Sequence, residues 1–221
     1  MNILVLGDGL LGSEIVKQTG WDCKSRYKKN FNIDDLSGLI DYDIIVNCIA
    51  NTDTYSTKRE KHWKVNYEFV NDLIKYCNEY GKKLIHISTD YIYAGAMLNA
   101  SEEHVPVHCG NWYGYTKLLG DGLVQLQCED YLICRCTHKE KPFPYDAAWI
   151  DQIGNFDYVD KISELIIELI NNNASGVYNV GTETKTMFDL AKQTKDVSVS
   201  YAPVFVPKNQ SMNLDKLNST L

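Results

Sequence analysis

The chain has 221 residues, of which 44% are hydrophobic and 23% charged, with a formal net charge of -7. Those proportions belong to an ordinary globule of one domain, or one plus a small lobe, and exclude a disordered or fibrous chain. The negative balance argues against a nucleic-acid surface, because phosphate binding needs clustered Lys and Arg and the one basic cluster, Lys24 to Lys29, is short.

The first apolar run, Ile3 to Leu6, has no positive segment before it and is broken by Gly7, Asp8 and Gly9, so it reads as a buried strand and not a signal peptide. No window approaches the ~18 apolar residues of a membrane span. A cytoplasmic location is therefore expected, with the seven cysteines as reduced thiols. Cys134 and Cys136 share one strand without metal-ligand spacing, and no metal site is expected.

Gly7-Asp8-Gly9-Leu10-Leu11-Gly12 follows that strand directly and leads into a helix-like stretch, Ser13 to Gln18. In this context Gly7 permits a tight turn, Gly9 lets the backbone approach a pyrophosphate, and Gly12 lets helix and strand pack closely. Amides at the helix start, including those of Leu10 and Leu11, then face the anion. The second strand reads Asp22-Cys23-Lys24-Ser25-Arg26, with Ser25 and Arg26 at its end, where an NAD site would carry an acid. A hydroxyl and a guanidinium suit a 2′-phosphate, so NADPH is the expected cofactor. NADH stays open, with Asp22 as the alternative ribose ligand.

Further strands are expected over Ile44 to Cys48, Leu84 to Ile87 and Leu132 to Cys134. Between the first two, Trp63, Tyr67, Val70, Ile74 and Cys77 recur at helical spacing and stop at Gly81. The strand ending Ile87-Ser88-Thr89-Asp90 brings hydroxyls to its carboxyl end, where open α/β sheets bind ligands. Thr89 there suits a carbonyl oxygen that becomes an alkoxide. Tyr113 and Lys117 stand one helical turn apart, so an ammonium would lower the phenol's pKa and fit Tyr113 as a general acid. The tract Thr137 to Asp157, with Pro142 and Pro144, has no period and reads as a loop. A helix follows, carrying Val159, Ile162, Leu165, Ile166 and Leu169, and then a strand, Val177 to Val180. This alternation predicts an α/β fold with a doubly wound, Rossmann-type parallel sheet and a small C-terminal substrate lobe.

The chain resembles the extended short-chain dehydrogenase/reductases, and within them the dTDP-4-dehydrorhamnose reductase group. The resemblance rests on Gly7 to Gly12, Val46 to Asp53, Ile87 to Tyr93 and Tyr113 to Gly120, covering roughly residues 1 to 136. Weaker likeness continues through Phe156 to Lys161, Gly176 to Val180 and Ser211 to Leu217. It implies a dinucleotide-binding domain over 1–136 and a substrate lobe over 137–221, with about 155–182 returning to the sheet. It also implies Thr89, Tyr113 and Lys117 as the reacting triad, Ile49, Ala50 and Asn66 lining the cofactor groove, and Asp90 and Tyr91 at the mouth of a sugar site. Two departures stand out. The group's Arg-Thr-Ser-Trp reads Arg135-Cys136-Thr137-His138 here, and the segment from His138 to Tyr158 is shorter, which removes part of the wall around the substrate.

The resemblance implies NADPH-dependent reduction of the C4 keto group of a nucleotide-linked 4-keto-6-deoxyhexose, with a homodimer as one arrangement. Two other readings remain open: a bifunctional 3,5-epimerase/4-reductase using Cys109, and a non-catalytic NADP-binding regulatory subunit.

Overall fold

The computed structural model describes residues 1–27, 31–93, 99–104 and 111–221. Six strands form one parallel sheet: β1 (Ile3–Leu6), β2 (Asp22–Lys24), β3 (Ile44–Asn47), β4 (Lys83–Ser88), β5 (Tyr131–Arg135) and, far along the chain, β10 (Gly176–Asn179). Their order is β10-β5-β4-β3-β1-β2. The winding reverses at β1, which pairs with β2 on one side and β3 on the other. A crevice outside the carboxyl ends of β1 and β3 follows from that reversal.

The inner strands β1, β3 and β5 read as largely apolar runs because both sheet faces are covered there, whereas the edge strand β2, Asp-Cys-Lys, does not. Ile3 and Val5 point into one layer with Ile15, Ile162, Ile166 and Leu169, which lie on α1 (Leu10–Thr19) and α5 (Val159–Asn171). Leu4 and Leu6 point into the other, against Val70, Leu73 and Ile74 of α3 (Phe69–Glu79) and Val124 of α4 (Trp112–Gln127). Each such fully buried aliphatic side chain contributes roughly 1.5–3 kcal/mol. The helical stripe expected from residue 63 starts earlier, in α2 (Arg59–Trp63), and runs through a π-helical turn, Lys64–Glu68, into α3. Trp63 itself is partly exposed, whereas Val70, Ile74 and Cys77 are core. Gly81, at φ +60°, ends the segment.

The expected loop from Thr137 to Asp157 contains short strands. These are β6 (His138–Lys139), β7 (Ala147–Trp149) and β8 (Ile153–Gly154), followed by β9 (Asp157–Tyr158). β6 pairs with β9. β7 pairs with β12 (Ser198–Ser200), and β8 lies between β11 (Lys185–Thr186) and β13 (Asn209–Gln210). Runs of two or three residues are too short to show a period-two pattern, which is why the sequence reads as a loop. A separate core of Phe143, Ala148, Phe156, Tyr158, Met187, Leu190, Ala191 and Val197 sits under them. It is closed by α6 (Met187–Lys192), whose Thr186 and Asp189 form a reciprocal capping box. A last short helix, α7 (Asp215–Thr220), packs near β10.

Candidate active site

The loop between β1 and α1 is crowded where glycine is required and open where a ligand can approach. Gly7 has φ +99°, and a Cβ on Gly12 would stand 2.1 Å from the Gly7 carbonyl oxygen. Among the described residues, nothing lies within 4 Å of a Cβ on Gly9. Gly9 caps α1 without a side-chain hydrogen bond, and the first turn holds no acid. Its amides are thus left to whatever anion enters.

Gly9, Leu10, Leu11 and Gly12 line a cavity of about 900 Å³, shared with Cys48 and Ala50 after β3, Thr89 and Tyr91 after β4, and Tyr113 and Lys117 on α4. Ile49 packs against Gly7, its Cγ1 standing 3.1 Å from where a Gly7 Cβ would be. Asn66 does not face this groove among the described residues. It is buried behind it, accepting from the Asn51 amide at 2.8 Å and donating to the Asn51 carbonyl at 3.1 Å and to Thr116 Oγ1 at 3.1 Å. It clamps the loop that carries Ala50. Ser25 is buried and Arg26 exposed, both just past β2 and outside the cavity lining.

α4 starts at Asn111, whose side chain accepts from the Gly114 amide at 2.8 Å. That cap sets Tyr113 and Lys117 on the face toward β4. Thr89 and Tyr113 line the same wall of the cavity, and the Tyr91 ring meets the Tyr113 ring edge-on at 5.8 Å. Lys117 Nζ is held elsewhere, donating to the Ile87 carbonyl at 2.6 Å. The expected lowering of the phenol by Lys117 is therefore not what the geometry gives. Burial pushes the Tyr113 phenol up, and the Thr89 hydroxyl only partly opposes it. Tyr113 stays protonated through the neutral range, as an O–H donor. Burial likewise pushes Lys117 down to about 8, with Asp121 pulling the other way.

Asp90 lies beneath the cavity and not at its mouth. It is fully buried; Oδ1 accepts from Thr137 Oγ1 at 2.5 Å and from Gln210 Nε2 at 3.3 Å. Burial raises its carboxyl to about 6. Tyr91, its neighbour, does line the cavity.

The short segment after β5 still builds a wall. His138, Lys139, Phe143, Tyr145 and Trp149 line the cavity, with Phe205 and Gln210 from the C-terminal part. Trp149, on β7, puts an indole into the site although none stands at residue 138. His138 Nδ1 is buried without a partner among the described residues, and burial pushes its pKa down to about 4, so the ring is neutral. Lys139 supplies a cation to the same wall, lowered by burial and supported by Asp90. Sequence reading missed Trp149 and Lys139 because β6 and β7 had no visible pattern. Cys109 lies outside the described residues. Among those residues, no group of His, Cys, Asp and Glu is placed to hold a metal, and no helix is long and apolar enough to cross a membrane.

A sequence model described as the RmlD substrate binding domain matches residues 1–138. The chain belongs to that family. Relatives of this RmlD-family chain include the spore coat polysaccharide biosynthesis protein SpsK of Bacillus subtilis, 28% identical over 205 residues, spanning 80% of this chain and 72% of SpsK. A dTDP-4-dehydrorhamnose reductase of Salmonella typhimurium is 35% identical over 97 residues, covering 43% of this chain and 32% of that protein. That match therefore spans about a third of the reductase. The crystal structure of a Bacillus anthracis dTDP-4-dehydrorhamnose reductase in complex with NADP superposes with a TM-score of 0.82 at 23% identity, over 99% of this chain and 93% of that one. It confirms the fold.

Proposed function

We propose that this chain is an NADPH-dependent reductase of the C4 keto group of a nucleotide-linked 4-keto-6-deoxyhexose. The observation that carries the reading is convergence: an open glycine turn and a hydroxyl pair, Thr89 and Tyr113, with Lys117 beside them, all line one cavity. Its volume of about 900 Å³ is enough to enclose most of a ligand. The names of the relatives, a polysaccharide biosynthesis protein and a dTDP-4-dehydrorhamnose reductase matched over a third of its length, support a sugar-linked substrate.

The loop fits a dinucleotide by its own geometry. A Cβ at Gly12 would collide with the backbone, while the space over Gly9 is open. Gly9 to Gly12 would hold the pyrophosphate, Ala50 the groove wall, Lys117 the nicotinamide ribose and Arg26 a 2′-phosphate. When bound, the dinucleotide supplies the hydride. Tyr113 donates its phenolic proton to the carbonyl oxygen as that atom gains charge. Thr89 donates a hydrogen bond to the same oxygen, a contact of a kind worth about 10²–10³ in rate. Trp149, Phe143 and Phe205 give the sugar-nucleotide side of the cavity its apolar surface, and Lys139 offers a charge to an anionic substrate.

Arg26→Ala tests the cofactor preference. Loss of a charge-assisted contact of about 1.5–3 kcal/mol should weaken NADPH roughly 10- to 100-fold and leave NADH almost unchanged. Equal losses for both by calorimetry would reject the 2′-phosphate role. The function itself is tested by stopped-flow oxidation of NADPH with dTDP- and UDP-linked 4-keto-6-deoxyglucose. Protein that binds NADPH and oxidises it with neither sugar would overturn the reductase reading.

A further inference from the structure

Lys117 ends in a buried polar cluster that the proposed chemistry does not use. Its Nζ stands 3.3 Å from His86 Nε2, on β4. His86 and Asp121 are each 0% exposed and Lys117 2%. On the other side of the imidazole, Nδ1 lies 3.4 Å from Asn47 Nδ2. The Asn47 amide cannot turn over freely, because its Oδ1 accepts from the Ile49 backbone amide at 3.1 Å. The atom facing the ring is therefore a nitrogen, which only donates. His86 Nδ1 must accept, and the ring proton belongs on Nε2.

That proton needs an acceptor, and two atoms are near. Lys117 Nζ accepts only as a neutral amine; as an ammonium it opposes Nε2–H with its own hydrogens. Asp121 Oδ1 is 3.7 Å from Nε2 and has no hydrogen-bond partner among the described residues. The other oxygen of Asp121 takes Arg135 Nε at 3.0 Å. Gly120 leaves the room for this meeting: a Cβ there would lie 3.7 Å from His86 Nε2 and 2.7 Å from the Asn66 carbonyl oxygen.

We infer that His86 and Asp121 are positioning residues for Lys117. His86 is a fixed Nε2–H donor that serves Asp121 when Lys117 is charged and Lys117 Nζ when it is neutral, and the carboxylate sets how long Lys117 stays an ammonium. The ionisable groups facing Lys117 are His86 from β4, Asp121 from its own helix, Cys48 past β3 and Cys136 past β5. Burial pushes both thiols up and keeps the imidazole neutral. Of these four, Asp121 is the carboxylate, with the Arg135 guanidinium against its far oxygen. The functional consequence rests on the reductase reading, in which the ammonium holds the ribose.

Two magnetic-resonance measurements on the full chain test the inference without turnover. Long-range proton–nitrogen correlation on isotope-labelled histidine should show His86 Nε2 protonated and Nδ1 bare. Isotope-labelled lysine, with Lys117 assigned by its loss in Lys117→Met, gives the titration midpoint of that side chain. Asp121→Asn keeps an oxygen for Arg135 and removes the charge, so the midpoint should fall by about 1–3 pH units. A proton on Nδ1, or an unmoved midpoint in folded Asp121→Asn, would overturn the inference. Should Asp121→Asn fail to fold, the wild-type tautomer alone decides it. Failure to reduce any nucleotide-sugar would remove the reductase reading and leave both outcomes standing.

Discussion

Tyr113→Phe is expected to bind NADPH nearly as well as wild type and to turn over about 10²–10⁴-fold more slowly, the range ascribed to a positioned proton donor. The substitution removes one oxygen. The ring contact with Tyr91 and the cap at Asn111 remain, so α4 keeps its place. What is lost is an O–H that burial holds protonated on the cavity wall beside Thr89. Steady-state rates and calorimetry on the same preparation separate the two effects. Full activity in Tyr113→Phe would sink the assignment of proton transfer.

Lys117→Met should damage both cofactor binding and turnover, because one ammonium is assigned the ribose and the charge beside Tyr113. Losing a charged hydrogen bond of about 1.5–3 kcal/mol predicts a roughly 10- to 100-fold weaker affinity for NADPH. The same variant carries a stability signature. Burial lowers Lys117 from 10.5 to about 8, so below about 8 the folded protein holds a buried cation at a cost. Between about 8 and 10.5 the unfolded chain binds the proton and the folded one does not, and wild type gains stability as pH rises. Relative to Lys117→Met that gain is on the order of 3 kcal/mol, from about 1.36 kcal/mol per unit. Denaturant unfolding at pH values across that window measures it; parallel curves for the two proteins would contradict the buried cation.

The glycine loop was legible because its constraints are local. Gly7 needs a positive φ and Gly12 has no space for a Cβ, and both needs stand in six consecutive residues. The inner strands β1, β3 and β5 showed themselves as apolar runs, and α5 by its stripe, for the same reason. The spacing of Tyr113 and Lys117 was also plain, but spacing on a helix does not say where a long side chain ends. The acceptor that draws Lys117 away is a backbone carbonyl on β4, which no motif reports. Asp90 was misplaced because its partners, Thr137 and Gln210, are 47 and 120 residues away, and their bonds pull it under the cavity. Trp149 and Lys139 sit on strands of two or three residues that become strands only through pairing with distant ones. His86 was hidden inside an apolar run, where its role depends on Asn47 from the next strand.

The measurement that tests the central claim most directly is transfer of label. NADPH carrying deuterium at the nicotinamide position that leaves as hydride is incubated with the protein and dTDP-4-keto-6-deoxyhexose, and the sugar product is read by mass spectrometry. One deuterium on C4 of the nucleotide-linked sugar, present with wild type and reduced by about 10²–10⁴-fold in rate with Tyr113→Phe, is the expected result. Recovery of unlabelled sugar with NADPH bound and unoxidised would contradict it, and would assign the cavity to cofactor binding without reduction.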